Sequence, residues 1–133
     1  MTLPKLAALA ALVLALSSGP SLASFGLFCE GPDGVSASIP LGGGVGLTPL
    51  GAEIQAAGQI WTTEEGVSGT IEIAPGQSAQ VGDQLYLDFA DPNLEVVIAE
   101  LRLFWAMEND EPVYGGTLRI PGQGAWPISC GAG

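Results

Sequence analysis

The segment VVIAELRLFWAME, residues 96–108, decides the fold. Val97, Ala99, Leu101, Leu103, Trp105 and Met107 fall on one side of an extended chain. Val96, Ile98, Glu100, Arg102, Phe104, Ala106 and Glu108 fall on the other. A period of two separates these sets cleanly, whereas a helix scatters them around its axis. A helix over residues 93–107 is the alternative that composition tolerates, and the alternation argues against it. NDEP, residues 109–112, then turns the chain. VYGGTLRI, residues 113–120, returns as the hairpin partner, with Tyr114, Leu118 and Ile120 on one face.

Shorter runs repeat the pattern. VSASIPL places Val35, Ala37, Ile39 and Leu41 together, VSGTIEI places Val67, Ile71 and Ile73 together, and QLYLDF places Leu85, Leu87 and Phe89 together. EIQAAGQIWTT, residues 53–63, reads as one weaker strand with Ile54 and Ile60 on one side and Trp61 on the other. AWPISC, residues 125–130, is the last candidate. Turn-forming stretches punctuate these runs: GPDG, LGGGVG, TEEG, APGQ, ADPN and PGQG. About seven short strands in so small a domain predict an all-β fold: a small antiparallel β-sandwich, Ig-like, or a closed barrel.

The two ends fix the compartment. One lysine precedes an apolar run at residues 6–16, and SLA at residues 21–23 presents small residues where a signal peptidase cuts. The run is shorter than the ~20 residues that span a bilayer. Residues 1–23 are therefore expected to be a cleaved signal peptide, and residues 24–133 a single secreted or periplasmic β domain with no membrane segment in its mature form. Phe25, Leu27 and Cys29 share one face at the start of that domain, and Trp126, Ile128 and Cys130 share one at its end. In an oxidising compartment the two cysteines are expected to pair, as an inter-sheet disulfide joining the two ends.

The mature chain has 2 basic and 14 acidic side chains, a net charge of −12. That surface repels nucleic acid and anionic lipid and favours a cationic partner. With no histidine, and with the sole lysine in the signal, histidine- and lysine-dependent catalysis, thiolate chemistry and histidine-ligated metal sites are closed, and no cofactor is expected. A carboxylate hydrolase is the catalytic alternative, but the acidic clusters at residues 64–65 and 108–111 fall in predicted turns. LGGGVGLTP lacks the Lys-Ser/Thr ending of a phosphate loop and reads as a connection. DFADPNLE carries Asp88, Asp91, Asn93 and Glu95, oxygen ligands of the kind calcium prefers. Their spacing departs from the EF-hand loop, and Asp-Pro-Asn is ordinary turn chemistry.

On the alternation, Trp61, Tyr86, Val96, Ile98 and Phe104 point outward around Arg102. Aromatic residues outside a small soluble domain mark a binding patch, unless loops cover them or one register is shifted. The expectation is a non-catalytic exported module that binds a protein or peptide partner. An inhibitor-like or chaperone-like role fits, with a calcium-stabilised structural domain as a further alternative. Small secreted lysozyme inhibitors share this general plan, but their serine-glycine-tyrosine segment is absent, so the likeness is one of architecture.

Overall fold

The computed structural model describes residues 25–43 and 46–133. The expected signal peptide lies outside the described residues. The strands, in chain order, are β1 (Phe25–Glu30), β2 (Ser36–Leu41), β3 (Glu53–Ala56), β4 (Gln59–Thr62), β5 (Ile71–Glu72), β6 (Ala74–Val81), β7 (Gln84–Ala90), β8 (Val97–Glu108), β9 (Glu111–Ile120) and β10 (Gly124–Ala132). They form one ten-stranded sheet in the order β5-β4-β3-β2-β1-β10-β9-β8-β7-β6. Every ladder is antiparallel except β4–β5.

That order makes the fold a nearly closed barrel instead of a two-sheet sandwich. The edge strands β5 and β6 are separated by one residue, the buried Ile73. Glu72 and Ala74 can therefore lie no more than about 7 Å apart, so one extended segment leaves one edge of the sheet and starts the other. The Ser78 hydroxyl donates to the Leu47 carbonyl at 2.8 Å and ties β6 to the loop after β2. Inward side chains from both halves form a single core, with Leu27, Ile39 and Ile54 meeting Leu87, Phe89 and Leu101.

The long alternating segment behaves as predicted through its middle: Ala99, Leu101 and Leu103 are buried, and β9 returns Leu118 and Ile120 to the same interior. NDEP forms the turn, with Asn109 and Asp110 both at positive φ (51° and 62°), the geometry that matches the twist of a tight hairpin. The alternation fails at its start. β7 and β8 shift register between Phe89↔Ala99 and Ala90↔Val97, leaving Ile98 as the extra residue of a bulge. Val97 turns outward, 40% exposed, and Ile98 packs partly against the core.

EIQAAGQIWTT is two strands, not one. Ala57 and Gly58 both have positive φ (50° and 72°) and turn the chain between β3 and β4. A two-residue turn pairs Ile54 with Trp61 and Gln55 with Ile60. Directly paired residues share a face, so the turn inverts the parity of a continuous strand. Trp61 is consequently core, 3% exposed. VSGTIEI shrinks to the two residues of β5. Gly66 and Gly69 take positive φ, and the Thr70 hydroxyl donates to the Val67 carbonyl, so the segment's first half is a turn with Val67 exposed.

Cys29 and Cys130 are bonded, and both are buried. They are register partners on β1 and β10, neighbours in one sheet, so the bridge is a cross-strand staple and not an inter-sheet one. It joins the first and last strands across a sequence separation of 101. The chain-entropy model assigns such a loop up to about 4.7 kcal/mol.

Candidate interaction face

Across β7, β8 and β9, directly paired residues project from the same side of the sheet. On the outer side they form three rows: Asp88, Glu100 and Arg119; then Tyr86, Arg102 and Thr117; then Gln84, Phe104 and Gly115. Successive rows lie about 7 Å apart along the strands.

Arg102 organises the face. Its Nη1 lies 2.7 Å from Asp88 Oδ1 and its Nη2 lies 3.7 Å from Glu100 Oε1. Its guanidinium carbon stands 5.3 Å from the Tyr86 ring centroid. Arg119 Nη1 reaches Glu100 Oε2 at 2.9 Å, completing a charged ladder over the three strands. The Tyr86 hydroxyl donates to Gln84 Oε1. Exposed ion pairs contribute at most about 1 kcal/mol each, and an exposed cation–π contact about as much. The ladder therefore orients its side chains more than it stabilises the barrel.

Phe104 stands beside this ladder, 57% exposed, with only Gly115 opposite it on β9. Between β6 and the ladder, Gln77, Ser78, Ala79, Tyr86, Asp88 and Arg102 line an open hollow of about 410 Å³. Of the expected patch, the structure thus brings together Tyr86, Arg102 and Phe104. Trp61 is removed from it by the β3–β4 turn, and Ile98 is displaced by the bulge.

The four calcium candidates do not converge. Asp88 belongs to the ladder. The Asp91 carboxylate accepts the backbone N–H groups of Glu95 at 2.8 Å, Val96 at 2.6 Å and Asn93 at 3.3 Å. The Val96 amide bond, partly opposed by burial, holds the Asp91 carboxyl below its ordinary range. This is the turn chemistry of an Asp-Pro-Asn segment. The Asn93 and Glu95 side chains are exposed, and among the described residues no group of three or more acidic, histidine or cysteine side chains is placed to hold a metal.

Glu64–Glu65 lie in a turn, and Glu108 and Glu111 face each other at the β8–β9 tip, all exposed. LGGGVGLTP is a connection: Leu41 bridges Pro49, and the Gly42 amide donates to the Thr48 carbonyl.

Sequence reading missed the open end of the barrel. β8 and β9 extend past β7, whose pairing stops at Gln84↔Phe104. Trp105 and Tyr114 are left half-buried and Met107 is 53% exposed. The signal lay in lengths: the alternation around Leu101 outlasts the run of QLYLDF. No family model, curated protein or solved structure matches this chain.

Proposed function

We propose that this protein is an exported, non-catalytic binding module that engages a protein or peptide partner with a cationic surface through the outer face of β7–β9. The observation that carries this reading is the ordered Asp88–Arg102–Tyr86 cluster beside an exposed Phe104 on the outer side of β7 and β8. A side chain held by its neighbours loses little entropy on binding, and aromatic and arginine residues dominate interface energetics. The net charge adds long-range attraction for a basic partner. The buried disulfide fits an oxidising compartment, and among the described residues no helix is long and apolar enough to cross a membrane.

The test is capture from periplasm or medium with the immobilised protein, run in parallel with Phe104→Ala and Tyr86→Ala. A partner retained by the native protein and lost by both variants, with binding weakened by salt, supports the reading. A partner bound equally by all three proteins removes the face assignment.

A further inference from the structure

The open end of the barrel contains an apolar hollow of about 170 Å³. Leu27, Leu41 and Leu85 form its buried floor, and Trp105, Met107 and Tyr114 form a wall. Trp105 stands opposite Tyr114 where β8 and β9 continue past β7. β7 begins at Gln84, so Trp105 and Met107 lie beyond the neighbouring strand that would cover them. The wall is fixed in advance. The Trp105 indole N–H donates to the Gly82 carbonyl at 3.3 Å, and its backbone N–H to the Asp83 carbonyl at 2.9 Å. A pre-ordered apolar cavity loses little on binding, and one of about 150 Å³ is large enough to hold benzene.

The lining also selects against charge. Among the described residues no charged side chain lines the hollow, and the polar side chains there are Gln80 and Tyr114, with the Trp105 indole already bonded to Gly82. Glu108 and Glu111, at the tip of the same hairpin, belong to the outer side of the sheet with Arg102 and Phe104. An ion seated in the hollow would leave water without gaining a partner of opposite charge, a cost that one amide and one phenol do not offset. A neutral hydroxyl or carbonyl, by contrast, finds a donor and an acceptor in either group.

We propose that this hollow is a binding site for a small uncharged molecule with an apolar skeleton of about six carbons, a single ring or a short chain. The skeleton lies against Leu41, Leu85 and Trp105, and a neutral polar group, where the molecule has one, faces Gln80 or Tyr114. The site is on the inner side of the barrel and does not depend on the outer face.

Calorimetric titration of the purified exported protein with the linear alcohols from butanol to decanol tests this. Hexanol is expected to bind saturably. Affinity should rise about fourfold with each methylene up to about six carbons and then level off, because a longer chain protrudes from the hollow. Adsorption to an open apolar surface would instead keep rising to decanol. Hexylammonium and hexanoate are expected to displace hexanol only at concentrations about tenfold higher than pentanol requires. Met107→Trp crowds the opening; excluding two methylenes weakens hexanol about tenfold. Met107 is 53% exposed, so the variant leaves the packed core in place, which an unchanged melting temperature verifies. Leu85→Ala shortens the floor by about three carbons and should move the levelling to about eight or nine. The proposal is overturned if hexanol does not saturate, if affinity climbs undiminished to decanol, or if either ion competes as well as pentanol. It is equally overturned if Met107→Trp leaves hexanol affinity unchanged, or if a folded Leu85→Ala levels off where the native protein does.

Discussion

Trp61 carries the sharpest test of the hairpin at Ala57–Gly58. With Ile54 opposite it and 3% of its surface exposed, it is the largest side chain that β4 commits to the core. A buried tryptophan removes up to about 250 Å² from water; at about 25 cal/mol per Å² that is some 6 kcal/mol. Alanine retains part of this burial and the unfolded chain already hides some, so Trp61→Ala is expected to cost about 3–5 kcal/mol. The neighbouring Ile60 pairs with Gln55 on the outer side and is half-buried, so Ile60→Ala is expected to cost about 1 kcal/mol. Urea unfolding followed by far-UV circular dichroism reads both, since one substitution removes a fluorophore. With a slope of about 2 kcal/mol/M, Trp61→Ala lowers the midpoint by about 1.5–2.5 M at constant slope. If that variant does not fold, Trp61→Phe keeps the ring and still costs more than Ile60→Ala. An outcome in which Ile60→Ala costs as much as either Trp61 variant refutes the two-strand pairing and returns Trp61 to the outer face.

Two further expectations concern the site's framework. A Cβ at Gly116 would collide with the Arg102 carbonyl oxygen, whereas one at Gly115 meets only the Ile128 carbonyl oxygen at 3.8 Å. Gly116→Ala should therefore cost about 1–3 kcal/mol and Gly115→Ala within about 0.5 kcal/mol; thermal melts showing equal costs would contradict the β8–β9 register. Asp91 is held below its ordinary carboxyl value by the Val96 amide. Its contribution is therefore present above the unfolded value near ~3.9 and is lost as pH falls through the lower folded value. Protection of the Glu95 and Val96 amides, taken relative to intrinsic exchange at each pH, should fall as pH drops through that lowered value and be low at all pH in Asp91→Ala. Protection in that variant equal to the native protein's would remove the carboxylate from the account.

The interior was legible wherever a strand ran unbroken. Leu85, Leu87 and Phe89, or Ile39 and Leu41, obey a period of two because one face of a barrel strand meets only core. Two local events erased that signal elsewhere. A two-residue turn at Ala57–Gly58 shows no strong punctuation, since alanine rarely adopts positive φ, yet it reversed the face of Trp61. A one-residue bulge at Ile98 turned Val97 out and drew Ile98 inward. Tyr86, Arg102 and Phe104 lie on the outer side that the alternation gives them because they sit between such events, where β7, β8 and β9 pair without interruption. Sandwich and barrel were not separable from alternation, because both bury one face of each strand. The distinction lies in which edges meet, and that is set by the single residue Ile73 between β5 and β6.

That closure also explains why the outer face and the open end of the barrel differ in character. A closed barrel hides its apolar faces everywhere except at its ends, so an apolar site must form where neighbouring strands differ in length. Here β8 and β9 outrun β7, and the surplus residues are Trp105, Met107 and Tyr114. The hollow on the convex side is lined mostly by polar side chains, so recognition there rests on groups standing proud of the sheet and held by their neighbours, as Arg102 is held by Asp88 and Tyr86. The arginines follow the same division. Each neutralises carboxylates on the outer face, and neither is paired with the Glu108–Glu111 pair at the β8–β9 tip. Removing Arg102 should thus weaken recognition at the outer face while costing the barrel no more than about 1 kcal/mol, since its ion pairs lie at the solvent surface, and thermal melts beside binding measurements check both.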